Sequence, residues 1–518
     1  MTDQSRRPAL AALHLADAAH APGVPTYRAL YERIREGILS GKLAPAARLP
    51  STRSLASELG VARGTVEAAY ERLVAEGFVI GRGAAGSRVN PLLDAARLDA
   101  AAKAMPADVA SARARRANAP VDESSNTPQI VGGDCPENPG HIPVSASGMP
   151  FPLQNGLPAL DEFPRKLWAR LAARRARQLS TDALHYQDAI GWAPLREAIA
   201  GYLAIARGIR CEPGQVIVTA GYQGALALIA RVLLRPGDAV WCEDPGYFRA
   251  HEGLQMAGAT LVPVPVDQDG LDVAAGERAA PNARLAVVTP SHQSPLSVTL
   301  PLERRLALLA WAQANDAWIV EDDYDSEFRY TGAPLPALKS LDGGARVLYA
   351  GSFSKVLFPG LRLGYLVVPP ALCDAFVAHT SIAFPGQGWI EQATVTDFIT
   401  QGHFSRHIKR MRQRYGERRA ALADALREHL AGRIELARQA GGMHLLGWLE
   451  THRNDRAIGH IARRYGLAPA ALSLFSVARP LPPALVMSFT NVPEALADDV
   501  AQRLSRAIDE DDRARGAR

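Results

Sequence analysis

Seven short runs between residues 216 and 368 are almost wholly apolar: Val216 to Thr219, Ala239 to Cys242, Leu261 to Val266, Leu285 to Thr289, Trp318 to Glu321, Val347 to Ala350 and Tyr365 to Val368. A strand with one wet face alternates apolar and polar residues. A strand that is apolar on both sides has both faces covered, the condition of a mostly parallel sheet between layers of helices. Amphipathic stretches of helical length separate the runs, so the pattern predicts an α/β domain over residues 146 to 512. Within it, a helix around Phe404 to Leu430 and strands near Met443 to Trp448 and Leu485 to Phe489 predict a smaller C-terminal α/β subdomain.

That domain does not use the whole chain. At 518 residues, 47% hydrophobic and 21% charged, the protein is too long for one core and too apolar for wholesale disorder. Residues 25 to 90 have a different texture. Tyr27, Tyr31, Ile34 and Ile38 recur at helical spacing until Gly41. Ser51 or Thr52 can cap a second helix carrying Leu55 and Leu59, which ends at Gly60. A third helix begins near Arg63, buries Val66, Ala69, Tyr70 and Leu73, stops at Gly77 and leads into Phe78 to Ile80, a glycine-rich turn and Ser87 to Val89. Three helices followed by a hairpin form a winged helix-turn-helix pattern. The segment holds ten basic residues against six acidic, although the chain as a whole carries only +5.

Between these parts, residues 91 to 145 are rich in Ala, Pro, Ser and Arg with no sustained apolar period, and read as a linker. Its Arg113, Arg115 and Arg116 read as scattered charge on a solvated tether. Cys135, Cys211, Cys242 and Cys373 lie far apart, which suggests neither a disulfide framework nor a zinc knuckle. No stretch approaches the roughly 20 apolar residues of a membrane span. His14, Asp17 and His20 interrupt any signal core. A reduced cytoplasm is the expected location.

On the third helix of the head, Arg63 and Thr65 occupy the first turn, where a recognition helix meets bases and phosphates. Arg53 lies on the second helix, and Arg82 and Arg88 put positive charge on the wing. The same segment resembles the GntR family of bacterial regulators: Leu49-Pro50-Ser51-Thr52-Arg53-Ser54-Leu55-Ala56, Ala62-Arg63-Gly64-Thr65-Val66 and Ala69-Tyr70-Glu71-Arg72-Leu73-Val74-Ala75-Glu76-Gly77 match its three signature strings. The resemblance implies DNA contacts by Arg53, Arg63 and Thr65. Ala62 replaces the family's usual serine.

In the large domain, the run ending at Ser352-Phe353-Ser354-Lys355 presents a lysine after a buried strand. Desolvation there lowers an amine's pKa, as attack on an aldehyde requires. The run ending at Glu321-Asp322-Asp323-Tyr324 brings carboxylates and a phenol. Pyridoxal phosphate uses such a set: an Asp opposite the ring nitrogen keeps it protonated, and a phenol bonds the ring hydroxyl. Metal binding by Glu321, Asp322, Asp323 and Asp325 is the competing use. It is disfavoured because alternate strand residues face opposite sides and no His or Cys accompanies them. Gly221, Tyr222 and Gln223, between a strand and a helix, offer backbone N–H groups to a phosphate, completed by Ser352 and Arg362. Tyr247 ends another strand as a ring able to stack on a flat cofactor.

Over residues 145 to 510 these motifs resemble the aminotransferase-like, fold type I pyridoxal phosphate enzymes. With the GntR-like head they resemble the MocR family of regulators, whose strings stand here at Glu243, Thr289, Glu321 and Ser352. The resemblance implies Lys355 as the Schiff-base lysine, Asp322 on the ring nitrogen, Tyr324 on the ring hydroxyl, Tyr247 stacking, and phosphate contacts by Gly221, Tyr222, Gln223, Ser352 and Arg362. Tyr186 would reach into the partner subunit's site of a homodimer. Two positions depart from the pattern. Ser294 stands where aminotransferases carry an asparagine, and Val486 or Met487 stands where they carry the arginine that grips a substrate carboxylate. Arg249 is an alternative carboxylate contact or a solvated surface residue. The expected function is a transcriptional regulator that binds operator DNA and senses pyridoxal phosphate, an amine or an amino acid. The alternatives are a working aminotransferase with a DNA-binding head, and a DNA binder that has lost the cofactor.

Overall fold

The computed structural model describes residues 26–40, 42–75, 78–81, 87–90, 150–331, 336–383 and 386–516. The expected linker therefore lies outside the described residues, as does Arg82.

The head is three helices and a ribbon: α1 (Thr26–Leu39), α2 (Thr52–Leu59), α3 (Arg63–Ala75), β1 (Val79–Gly81) and β2 (Ser87–Val89). Leu30, Ile34, Ile38, Leu55, Val66, Ala69, Leu73 and Phe78 fill its core. Ser51 caps α2 by accepting from the Ser54 N–H at 3.1 Å, and Gly60 closes it in the left-handed region at φ +64°. The ribbon is antiparallel, with Val79 opposite Val89.

The large sheet holds β3 (Val216–Thr219), β4 (Ala239–Asp244), β5 (Thr260–Asp267), β6 (Gly270–Leu271), β7 (Leu285–Val288), β8 (Trp318–Asp323), β9 (Val347–Ser352) and β10 (Gly364–Val367). Its order is β3-β10-β9-β8-β7-β4-β5-β6. The central pairings, β9 with β8, β8 with β7, β7 with β4 and β4 with β5, are parallel, and β10 and β6 run antiparallel to their neighbours. Buried faces of α4 (Ala193–Ala206), α5 (Gly221–Leu233), α6 (Phe248–Met256) and α7 (Leu302–Ala314) supply apolar cover for these strands. One consequence positions the site. The carboxyl ends of β4, β7, β8 and β9 share an edge, and Gly364 pairs with both Thr219 and Ser352, bringing the end of β3 to the same edge. Open α/β sheets bind ligands beyond that edge.

The smaller sheet is wholly antiparallel, with β11 (Ile434–Leu436), β12 (His444–Leu449), β13 (Ala470–Ala471) and β14 (Ala484–Ser488) in the order β11-β12-β14-β13. It packs with α8 (His403–His429) and α9 (Ala497–Gly516) in one core that also takes in Val216, Tyr349 and Tyr365 of the large sheet. Polar contacts join the head to this body among the described residues: Arg35 donates to Ser340 O at 2.7 Å and to Ser340 Oγ at 3.1 Å, and Arg210 pairs with Glu32 at 2.9 Å. Among the described residues, no helix is long and apolar enough to cross a membrane.

Candidate functional site

Lys355 follows β9 in a tight turn, and its Nζ donates to Gly156 O at 2.7 Å. Burial lowers the amine's pKa, against the opposing pull of Asp322 and Asp325. A side chain at Gly156 would be strained, since it lies at φ +83°, and its Cβ would fall 2.5 Å from Nζ and displace the amine. No motif surrounds Gly156, so nothing in the sequence pointed to it.

The carboxylates at the end of β8 diverge. Glu321 accepts from Leu338 N–H and Lys339 N–H, each at 2.8 Å, and burial raises it to about 7. Asp323 pairs with Arg207 at 2.7 Å and accepts from Tyr349 at 2.5 Å. Asp322, between them, faces the other way, toward Tyr222 and Lys355. Burial pushes its carboxyl well up, and the neighbouring Asp323 and Glu243 add to the effect. Such a group strongly favours a cation in front of it. Glu243, raised by burial to about 7, accepts from Thr289 N–H at 3.0 Å, Thr289 Oγ1 at 2.6 Å and Gln293 Nε2 at 3.1 Å, and so fixes the loop after β7.

A second cluster forms where β3, β10 and β9 adjoin. Gly221 opens α5, and a Cβ on Gly364 would lie 2.9 Å from Gly221 Cα, so the two backbones touch. Arg362, left-handed at φ +50°, reaches Ala220 O at 3.4 Å, and Ser352 Oγ accepts from Ser354 N–H at 3.1 Å. Gly221, Ser352 and Arg362 are thus gathered at one corner. Tyr222 Oη and Gln223 Nε2 are buried beside Asp322 and Tyr247, respectively, without a well-formed hydrogen bond. The Tyr222 and Tyr247 rings are 6.2 Å apart. Tyr324 stands next to Asp325, with its hydroxyl 2.9 Å from His292 Nδ1 and its phenol raised well above its ordinary value by burial.

Other expected residues stand apart. Tyr186 is 95% exposed, with its ring against His185, so this chain does not fold it in beside Lys355. Arg249 lies over the Phe248 ring at 5.7 Å and close to Tyr247, on the rim. Val486 is fully buried opposite Leu446, in a cluster with Leu472, Phe475 and Ala484, so apolar packing fills that position. Ser294 faces the Tyr324 phenol. His292 and Gln293 lay in a recognised string, but nothing in the sequence told what they touch.

On the head, Arg53 and Arg88 are exposed, and Thr65 is half-buried at the start of α3. Arg88 donates to Ala46 O at 3.3 Å. Arg63 is engaged by Glu67 at 2.7 Å across one helical turn, an exposed pair worth about 0.3–0.5 kcal/mol that a phosphate can displace.

Residues 156–504 match the family model of aminotransferase class I and II, and residues 26–89 match that of bacterial regulatory proteins, gntR family. The chain is 39% identical over 452 residues to a probable rhizopine catabolism regulatory protein MocR of Rhizobium meliloti, covering 87% of each. It is 37% identical over 420 residues to the HTH-type transcriptional regulator TauR of Rhodobacter capsulatus, covering 80% of this chain and 81% of that one. A solved structure of LysN, an α-aminoadipate aminotransferase of Thermus thermophilus complexed with N-(5'-phosphopyridoxyl)-L-leucine, is similar at a TM-score of 0.64 and 30% identity over 70% of this chain and 92% of that one. With both halves accounted for in one relative, the chain belongs to the MocR-type transcriptional regulators, a gntR-family winged helix joined to an aminotransferase class I and II domain.

Proposed function

We propose that this regulator holds pyridoxal phosphate at the carboxyl edge of its large sheet, and that occupancy by the cofactor, with an amine or amino acid, changes its grip on operator DNA. The observation that carries the reading is the desolvated Lys355 amine beside the buried Asp322 carboxylate. The aminotransferase class I and II family implies dependence on this cofactor, and the residues present fit it. Tyr222 Oη and Gln223 Nε2 are buried polar atoms short of partners, and Gly221, with nothing within 4 Å of an added Cβ, leaves backbone bare for an anion.

When bound, the cofactor supplies an aldehyde open to amines and a ring that withdraws electrons. Lys355 contributes the amine for that aldehyde, its burial favouring the uncharged form that attack requires and Gly156 O orienting it. Asp322 holds a proton at the ring nitrogen, and the positive charge there reverses the cost of its own burial. Tyr247 covers a ring face, while Gly221, Tyr222, Gln223, Ser352 and Arg362 hold the phosphate. Tyr186, 95% exposed in its own chain, serves a second copy in a homodimer, and Arg249 is a rim contact for an effector carboxylate. On DNA, Arg63 and Thr65 read the groove from α3, with Arg53, Arg82 and Arg88 on the phosphates. The apolar seat of Val486 argues against efficient transamination. Purified protein mixed with pyridoxal phosphate should absorb near the visible edge, and Lys355→Ala should abolish that band. An unchanged band in the variant contradicts the assignment.

A further inference from the structure

Tyr324 does not act alone. Nδ1 of His292, on the loop after β7, lies 2.9 Å from the Tyr324 hydroxyl, 3.1 Å from Asp325 Oδ1 and 3.0 Å from Asp325 Oδ2. Both His292 and Asp325 are deeply buried, with side chains 8% and 1% exposed. The imidazole cannot swing, because Gly442 presses on it so closely that a Cβ there would fall 2.1 Å from Cε1. Beyond it, the ring of His444 is 5.8 Å away, bonded to Pro295 O at 2.9 Å and Ser297 Oγ at 3.1 Å.

One nitrogen thus faces two oxygen groups, and it holds at most one hydrogen. If Nδ1 were bare, Tyr324 would donate to it and a lone pair would confront the buried Asp325 carboxylate, which would lose its hydrogen-bond donor. With the hydrogen on Nδ1, Asp325 is served, and the Tyr324 oxygen sits against an N–H. The phenol must then turn its own hydrogen elsewhere.

We infer that His292, backed by Asp325, is a positioning residue that directs the Tyr324 hydroxyl hydrogen into the pocket shared by Lys355 and Ser294 and strengthens it as a donor. The inference rests on the reading that Tyr324 donates to the ring hydroxyl of pyridoxal phosphate, and deepens it. A chain of hydrogen bonds polarises its members, so the N–H against the phenol oxygen makes the phenol a better donor. A donor on the ring oxygen draws off negative charge that would otherwise hold the proton on the Lys355 nitrogen. Weakening the donor therefore leaves that proton held to higher pH.

Two measurements test this on the full chain. In protein free of cofactor, nitrogen-15 NMR of the histidines should find the His292 hydrogen on Nδ1; a hydrogen on Nε2 with Nδ1 bare overturns the inference. In protein loaded with pyridoxal phosphate, the midpoint pH of the visible absorbance change should rise by about one unit in His292→Leu. His292→Asn, which keeps a donor, should recover part of the shift. The other titratable groups facing the pair among the described residues, Asp322 on β8, Tyr330 beyond it, Glu243 on β4, Lys355 after β9 and His444 on β12, are unaltered in both variants. If His292→Leu fails to fold, His292→Met, which fills the space without offering a hydrogen and leaves the Asp325 charge in place, serves, with the same rise expected. A midpoint unmoved in these variants but moved in Tyr324→Phe overturns the inference. Parent protein that takes up no pyridoxal phosphate defeats the cofactor reading instead, and the NMR result then decides the histidine by itself.

Discussion

At the scale of single residues, burial does most of the chemistry. Water removed from around Lys355 and Asp322 disfavours both charges, and a ligand carrying the right groups restores what was lost. The same physics acts on His407, buried above the Lys355 turn and bonded through Nε2 to Val356 O at 3.0 Å. Burial lowers it from 6.5 to about 4. Unfolded protein then binds more protons than folded protein between those values, so stability present above pH 6.5 is lost as pH falls toward 4. His407→Gln keeps a donor but cannot titrate. Its stability relative to the parent should rise as pH falls through that window by on the order of 3 kcal/mol, read by denaturant unfolding at several pH values. A constant difference across the window would contradict the assignment. Arg63→Ala should weaken operator binding by about 1–3 kcal/mol and leave cofactor uptake unchanged. Equal binding by this variant in a gel-shift titration removes Arg63 from the interface.

At the scale of elements, the head rests on its punctuation. Gly60 ends α2 at φ +64° in open space, with nothing within 4 Å of an added Cβ. Gly60→Ala therefore tests strain without a clash, and should cost about 1–2 kcal/mol in thermal unfolding of the head. No loss would mean that the turn can relax. This end, like the Ser51 cap, was legible because local chemistry decides it. The large-sheet strands were legible too, since an all-apolar run has few other destinations. Their ends were less so. β4 runs on through Glu243 and Asp244, and β8 through Asp322 and Asp323, because these carboxylates are buried and served by partners far away in the chain. A polar residue reads as a strand end until its partner is known. The Lys355, Asp322 and Tyr324 set could be read from its strings. Gly156 and the His292 contacts could not, for they exist only once the strand order folds distant loops together.

At the scale of the molecule, the head touches the body at places that also brace β8. Arg35 meets Ser340, in the turn whose Leu338 and Lys339 N–H groups are held by Glu321. Glu32 meets Arg210, three residues beyond the Arg207 that pairs with Asp323. Both carboxylates, Glu321 and Asp323, flank Asp322 on β8. A ligand can shift the head only through interactions that differ between two arrangements of the protein. The decisive measurement is therefore operator affinity of the full-length protein, with and without saturating pyridoxal phosphate, in parent and Lys355→Ala. The account predicts that the cofactor changes the parent's affinity by about fivefold or more, within the usual range of such couplings, and leaves the variant's unchanged. An identical affinity with and without the cofactor in a parent that visibly binds it would contradict the central claim.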